Sequence, residues 1–175
     1  MINKTPYSLM NGCFMNKIHL SFIIPVTLFG HSAFASQPIS TTDMTSAIAF
    51  SLVNTALNVC HSENKTGVVA VVDKGGNLVA LQRDDNVGPH NTLAAQKKAY
   101  TALSTKSDTR ELAIKAASNP ETQSLNTVPH LLLLGGGVPV KSGDRVIGAV
   151  GVAGTGGPVD DQHCAQEAIK QVMNK

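Results

Sequence analysis

Beyond residue 35 the sequence contains only two aromatic side chains, Phe50 and Tyr100. Since aromatic rings usually supply much of the buried area of a protein core, this core must be built from Ala, Val and Leu, with glycine at the contacts. Small side chains let backbones approach, so we expect helices to pack closely on a sheet. Residues 36–175 are enough for one domain of ordinary size.

The amino-terminal segment has the features of a secretory signal. Two lysines precede an apolar stretch at residues 18–30, and an A-x-A pattern follows at residues 33–35. Signal peptidase recognises basic, apolar and A-x-A segments in this order, and the stretch is shorter than the about 20 residues of a membrane anchor. We therefore predict a signal peptide at residues 1–35. The remainder, residues 36–175, is expected to be a periplasmic or secreted domain without a membrane span.

The charge of the predicted mature chain is balanced. Removing Lys4 and Lys17 from the 14 basic residues leaves 12, which equals the number of acidic residues. Nucleic-acid and anionic-membrane binding rely on a basic surface. The sequence therefore predicts neither a nucleic-acid partner nor a charged membrane surface as partner.

The apolar pattern predicts the order helix, two strands, two helices, three strands, helix. The predicted helices cover residues 42–60 and 91–104, a segment from Asp108 whose capping box includes Glu111, and a last segment capped by Asp160 or Asp161. The predicted strands cover residues 68–72, 78–81, 131–134, 138–140 and 146–152. Since short turns join neighbouring strands, we predict an α/β (α+β) fold with an antiparallel sheet of about five strands and helices packed on it.

Four sequence blocks carry a specific resemblance, at residues 71–85, 97–102, 136–152 and 156–165. In this order and spacing they resemble the GlcG/HbpS family, also called the haem-degrading domain family, which includes the PduO carboxy-terminal domain. The resemblance covers residues 43–173. It implies a profilin-like layered fold, assembly into a homo-oligomer, haem as the cofactor, and in one secreted group service to a redox-sensing kinase.

His90 is the predicted axial ligand of haem iron. It follows Gly88 and Pro89 and comes directly before a predicted helix. The positive end of the helix dipole favours the neutral imidazole, which is the form that binds iron. The alternative is a solvated or capping histidine. His130, before an apolar run, is interpreted as buried and hydrogen-bonded, and His61 as a cation that caps a helix end.

The predicted ligand pocket lies between residues 88–100 and residues 135–139. Its expected contacts beside His90 are polar side chains, one aromatic ring and residues of a strand end: Asn91, Arg83, Lys97, Tyr100, Gly136, Gly137 and Pro139. Arg83 and Lys97 either pair with propionates or another small carboxylate, or are solvated surface charges. The glycines either let backbone N–H groups approach a ligand or serve tight turns and close packing.

The predicted mature chain retains two cysteines, Cys60 and Cys164. They lie near the end of the first helix and near the start of the last, so antiparallel packing would bring them to the same level. A disulfide, two buried free thiols, and a metal or redox site with His61 and His163 remain as alternatives. Neighbouring helical residues point about 100° apart, which disfavours the four-residue site.

These features together predict an exported, oligomeric haem-binding protein. Whether the chain is also an enzyme that degrades haem stays open. The alternative is an enzyme or binding protein for a small hydroxy or other organic acid in the same pocket. A further alternative is an accessory protein whose partner is a sensor or a transporter.

Overall fold

The computed structural model describes residues 42–174. The predicted signal peptide, residues 1–35, and the lead-in at residues 36–41 lie outside the described residues. Within the described range, none of the helices combines the length and the apolar character that a membrane crossing requires.

The described chain alternates helices with two β-hairpins. The helices are α1 (Ser46–Ser62), α2 (His90–Thr105), α3 (Thr109–Ser118), the single turn α4 (Pro120–Gln123), which continues into a 3-10 turn (Ser124–Thr127), and α5 (Pro158–Met173). The strands are β1 (Val68–Asp73), β2 (Leu78–Arg83), β3 (Gly137–Ser142) and β4 (Arg145–Ala153).

The four strands form one antiparallel sheet in the order β2-β1-β4-β3. The two central strands are covered on both faces, which explains why residues 68–72 form an uninterrupted apolar run. Helices α1 and α5 pack together on one face, and α2 packs on the other. The predicted α+β class with an antiparallel sheet and packed helices is confirmed.

The two faces of the sheet differ in the size of their side chains. Val69, Val71 and Val150 belong to the larger core under α1 and α5. On the opposite face Ala70 and Ala149 lie under α2. Alternation of inward and outward side chains along each strand produces this division.

At two points helix α2 approaches the sheet so closely that only glycine fits beneath it. A Cβ atom at Gly151 would lie 2.0 Å from the carbonyl oxygen of Ala95, and one at Gly137 would lie 2.2 Å from the carbonyl oxygen of Lys98. These are backbone atoms of a helix, so they cannot move aside singly. The close packing expected from the scarcity of aromatic residues is therefore present.

One strand prediction is wrong. The predicted strand at residues 131–134 is irregular chain, so the sheet has four strands rather than five. Threonine hydroxyls take the place of a strand partner, since Leu132 N donates to Thr101 Oγ1 (2.8 Å) and Thr109 Oγ1 donates to the carbonyl of Leu134 (2.7 Å).

The capping predictions also need correction. Asp108 precedes α3 as predicted, but its carboxylate accepts hydrogen bonds from Gln162 and Gln166 of α5 and does not cap the helix. The last helix begins at Pro158, not at an aspartate, because proline suits the first position of a helix.

Candidate functional site

A cleft of about 340 Å³ opens where α2 and α5 begin. We call it the polar cleft and define it by its lining residues: His90, Asn91, Ala94, Lys98, Leu134, Gly154, Gly156, Gly157, Pro158 and Asp161. The loop at residues 154–157 joins β4 to α5 and forms one rim. Neither helix start has a side-chain cap, and in α2 the backbone N–H of Asn91 donates to the carbonyl of Gly88 (3.0 Å).

Two charged side chains are buried in the wall of the polar cleft. Lys98 Nζ donates to Asp161 Oδ2 at 2.6 Å and to the carbonyl of Val152 at 3.0 Å. The other carboxylate oxygen, Asp161 Oδ1, accepts from Thr155 N (3.0 Å) and Thr155 Oγ1 (2.7 Å). Lys98 is 1% exposed and Asp161 4% exposed. Among residues 42–174, these are the charged residues that are fully enclosed.

Burial and pairing act in opposite directions on Lys98. Removal from water lowers the pKa of its ammonium below the ordinary lysine value of 10.5. The charge of Asp161 and its hydrogen bond offset part of that decrease. A lysine with a lowered pKa in the wall of a cleft is a common feature of functional sites.

A second opening of about 290 Å³ lies between α2 and the β1–β2 hairpin. We call it the apolar groove and define it by its lining residues: Val72, Gly76, Leu78, Leu93, Gln96, Lys97, Tyr100 and His130. Leu78, Leu93 and Tyr100 are large exposed apolar side chains. The groove therefore presents an apolar surface with one imidazole and one lysine among its lining residues.

The hairpin turn supports the floor of the apolar groove. Asp73 accepts hydrogen bonds from Gly75 N (2.8 Å) and Asn77 N (2.9 Å). Gly76, with φ of +82°, lies under the ring of Tyr100, where a Cβ would be 2.9 Å from Cε2. A side chain at position 76 would therefore displace Tyr100 from the groove.

His130 is exposed and lines the apolar groove. Its backbone φ of +71° lies in the left-handed region, which is uncommon outside glycine and often marks a functional position. The interpretation of His130 as a buried, satisfied residue is therefore wrong. The apolar run that follows it packs as irregular chain instead of continuing a buried strand.

The predicted ligand residues are distributed over several places. His90 and Asn91 line the polar cleft, and Lys97 and Tyr100 line the apolar groove. Arg83 lines neither opening, since its guanidinium donates to the carbonyl of Val87 before α2.

The predicted contacts at the strand end lie below the polar cleft and the apolar groove and line neither of them. Gly136 and Gly137 are buried against Lys98, and a Cβ at Gly136 would lie 3.0 Å from Lys98 Nζ. Pro139 lies within β3, paired with Ala149 of β4. Of the two readings of these glycines, close packing is the one that agrees with their contacts.

Cys60 and Cys164 form a disulfide between α1 and α5, with Cα atoms 5.6 Å apart. Both residues are fully buried. Their neighbours contact carboxylates instead of forming a metal site, since His61 contacts Asp84 (2.8 Å) and His163 contacts Glu63 (3.1 Å). No group of three or more His, Cys, Asp or Glu side chains within residues 42–174 is arranged to hold a metal ion.

Lys98 and Asp161 are the site residues that the sequence analysis missed. A signal for Lys98 was available, because it falls on the same helical stripe as Ala95, Ala99 and Ala102, which face the sheet. A charged residue in such a stripe requires a buried partner. Asp161 precedes the buried stripe of α5 in the same way, three residues before Cys164.

Comparisons with known proteins agree with this architecture. The family described as haem degrading protein HbpS-like matches residues 44–170. The Escherichia coli K12 protein GlcG is 33% identical over 106 residues, which are 61% of this chain and 78% of GlcG. The crystal structure of HbpS is 30% identical with a TM-score of 0.73, covering 81% of this chain and 98% of that one.

A second similar structure is that of a PduOC–haem complex. It is 24% identical with a TM-score of 0.66, covering 74% of this chain and 94% of that one. At this identity the likeness supports the fold alone. Since the family match spans more than half of the sequence, this chain belongs to the HbpS-like family of haem-degrading proteins.

Proposed function

We propose that this chain is an exported haem-binding protein. The observation that carries the proposal is the match of residues 44–170 to a family described as haem-degrading. The apolar groove supports it, because haem needs an extended apolar surface together with an axial ligand and partners for its propionates.

The lining of the apolar groove fits haem. Leu78 and Leu93 offer apolar contact, and Tyr100 adds the aromatic surface that is scarce elsewhere in the chain. His130 is the side chain in the groove that could bind iron through an imidazole nitrogen. Lys97 and Gln96 would hold the propionates by charge and hydrogen bonding. When bound, haem would supply a redox-active iron.

His90 remains the rival axial ligand. It lies at the mouth of the polar cleft, whose lining includes a buried ion pair and three glycines, with Ala94, Leu134 and Pro158 as its apolar members. This composition suits a small polar ligand better than a porphyrin face. We therefore assign the iron to His130 and treat His90 as the competing prediction.

Export and assembly are also proposals. A disulfide between buried cysteines is typical of proteins from oxidising compartments, which supports the predicted signal peptide and a periplasmic or secreted location. Exposed apolar side chains outside the groove, such as Ile114 and Val159, support a homo-oligomer in which a second copy covers them. A sensor or transporter partner stays a prediction that co-purification tests.

Haemin titration followed by the Soret absorbance tests the proposal. We expect saturation at one haem per chain and weaker binding for Leu93→Glu, which places a carboxylate against the porphyrin face. Phe50→Glu is the matched control, since Phe50 is 56% exposed and Leu93 57% exposed, and Phe50 lies on α1 away from the groove. Binding that never saturates, or that both substitutions weaken equally, would contradict haem binding in the groove.

A further inference from the structure

The polar cleft contains a buried ion pair that the proposed haem groove does not use. Lys98 lines the polar cleft, whereas its neighbour Lys97 lines the apolar groove. A buried ion pair contributes little to stability, because the free-energy cost of desolvating the two charges offsets most of their attraction. The position of this pair in a cleft wall therefore suggests a role in binding.

The ammonium of Lys98 has one donor more than its protein partners use. Within residues 42–174, its nitrogen has two acceptors, Asp161 Oδ2 and the carbonyl of Val152. An ammonium carries three N–H donors. Lys98 is 1% exposed and lines the polar cleft, so an acceptor bound in that cleft would be the remaining partner for the third N–H.

Further donors surround the same space. The side-chain amide of Asn91 and the imidazole of His90 line the polar cleft, and the first turns of α2 and α5 meet at it. Lys98 and Asp161 neutralise each other, so the pair adds no net charge to the wall. Backbone N–H groups at a helix start and the surrounding side-chain donors favour an anionic oxygen ligand.

The lining of the polar cleft restricts the ligand. Its apolar members are few, and most of the other lining residues are polar side chains and glycines. Gly157, on the rim, has open space where a Cβ would point. A compact acid can therefore approach the loop backbone without steric hindrance.

We infer that the polar cleft is a second ligand site, which binds a small carboxylate-bearing molecule through Lys98, Asn91 and the loop at residues 154–157. This site is independent of the haem proposal. Lys98 supplies the charged hydrogen bond, and Asp161 positions the ammonium. A free organic acid and a haem propionate share the carboxylate chemistry, so the test must separate these two sources.

Amide NMR titrations of the purified protein with acetate, glycolate, oxalate and inorganic phosphate test the inference. We expect at least one carboxylate to shift the amides of Asn91 and residues 154–157 in a saturable way. Gly157→Leu should weaken this binding about tenfold or more by filling the cleft. The double variant Lys98→Met/Asp161→Asn should weaken it similarly without leaving a lone buried charge.

Lys115→Met is the control, because it removes the charge of an exposed lysine at the end of α3 that lines neither opening, and it should leave binding unchanged. No saturable shift with any carboxylate up to about 10 mM would overturn the inference, as would equal weakening by Lys115→Met. Saturation by phosphate alone would also overturn it. Prior loading with haemin distinguishes a free organic acid from a haem propionate as the ligand of the polar cleft. Unchanged acid binding after loading supports a separate site. Loss of acid binding after loading would show that a haem propionate occupies the cleft.

Discussion

The ammonium nitrogen of Lys98 lies 2.6 Å from Asp161 Oδ2, and both residues are buried between the sheet and the start of α5. This contact joins α2, which crosses one face of the sheet, to α5, which packs mainly on the other. The two charges therefore connect the helices that form the polar cleft.

Removal of one partner of this pair should be strongly destabilising. Lys98→Met leaves the Asp161 carboxylate buried without its cation, so we expect the free energy of unfolding to fall by about 3–5 kcal/mol. Lys97→Met, at the neighbouring position, should change it by no more than about 0.5 kcal/mol. Urea unfolding measures both, and similar losses for the two variants would contradict the importance of the buried pair.

The free energy of unfolding should change with pH in the alkaline range because of Lys98. Because burial lowers the pKa of Lys98 in the folded state, the unfolded chain binds more protons as pH rises toward 10.5. Stability increases with pH wherever the unfolded state holds more protons. The unfolding free energy of the wild type should therefore rise relative to that of Lys98→Met as pH approaches 10.5. If the difference in unfolding free energy between the wild type and Lys98→Met stays constant or decreases with pH, the pKa of Lys98 is not lowered.

The disulfide should contribute substantially to stability. Cys60 and Cys164 are 104 residues apart, and closing so long a loop restricts the unfolded chain. We expect the Cys60→Ala/Cys164→Ala variant to lose about 2–5 kcal/mol, measured by chemical unfolding without reductant. Mass spectrometry of the unreduced wild type provides the independent check, since two free thiols would disprove the bond.

The close packing of α2 on the sheet gives a steric prediction. Gly151→Ala places a methyl group on the carbonyl of Ala95, so we expect a loss of about 1–3 kcal/mol or more. Gly157→Ala is the control, because its methyl group points into open space. Thermal unfolding compares them, and equal melting temperatures would be inconsistent with the tight contact.

The fold could be predicted from the sequence where one pattern determines the structure. Apolar runs joined by glycine-containing turns indicated both hairpins, and the scarcity of aromatic rings indicated close packing. The four leucines at residues 131–134 led to the wrong prediction of a strand. Hydrogen bonds to a neighbouring strand and hydrogen bonds to two threonine hydroxyls can both satisfy the same backbone N–H and C=O groups. Only the tertiary contacts of Thr101 and Thr109 distinguish these cases.

The site was predicted less accurately for a geometric reason. His90 and Lys97 are seven residues apart on one helix, about 10 Å along its axis. Lys97 and Lys98 differ in direction by about 100° around the same helix. This one segment of the sequence therefore lines two separate openings, whereas the prediction assumed a single pocket. Asp161 was read as a helix cap because its partner is 63 residues away.

The central claim is that haem iron binds His130 in the apolar groove. The most direct measurement is the absorbance spectrum of the haemin complex for the wild type, His130→Ala and His90→Ala under identical conditions. The account predicts that His130→Ala alone shifts the Soret maximum and weakens haemin binding, while His90→Ala retains the wild-type spectrum. A spectrum that changes with His90→Ala and is unaffected by His130→Ala would contradict the account and move the iron to the polar cleft.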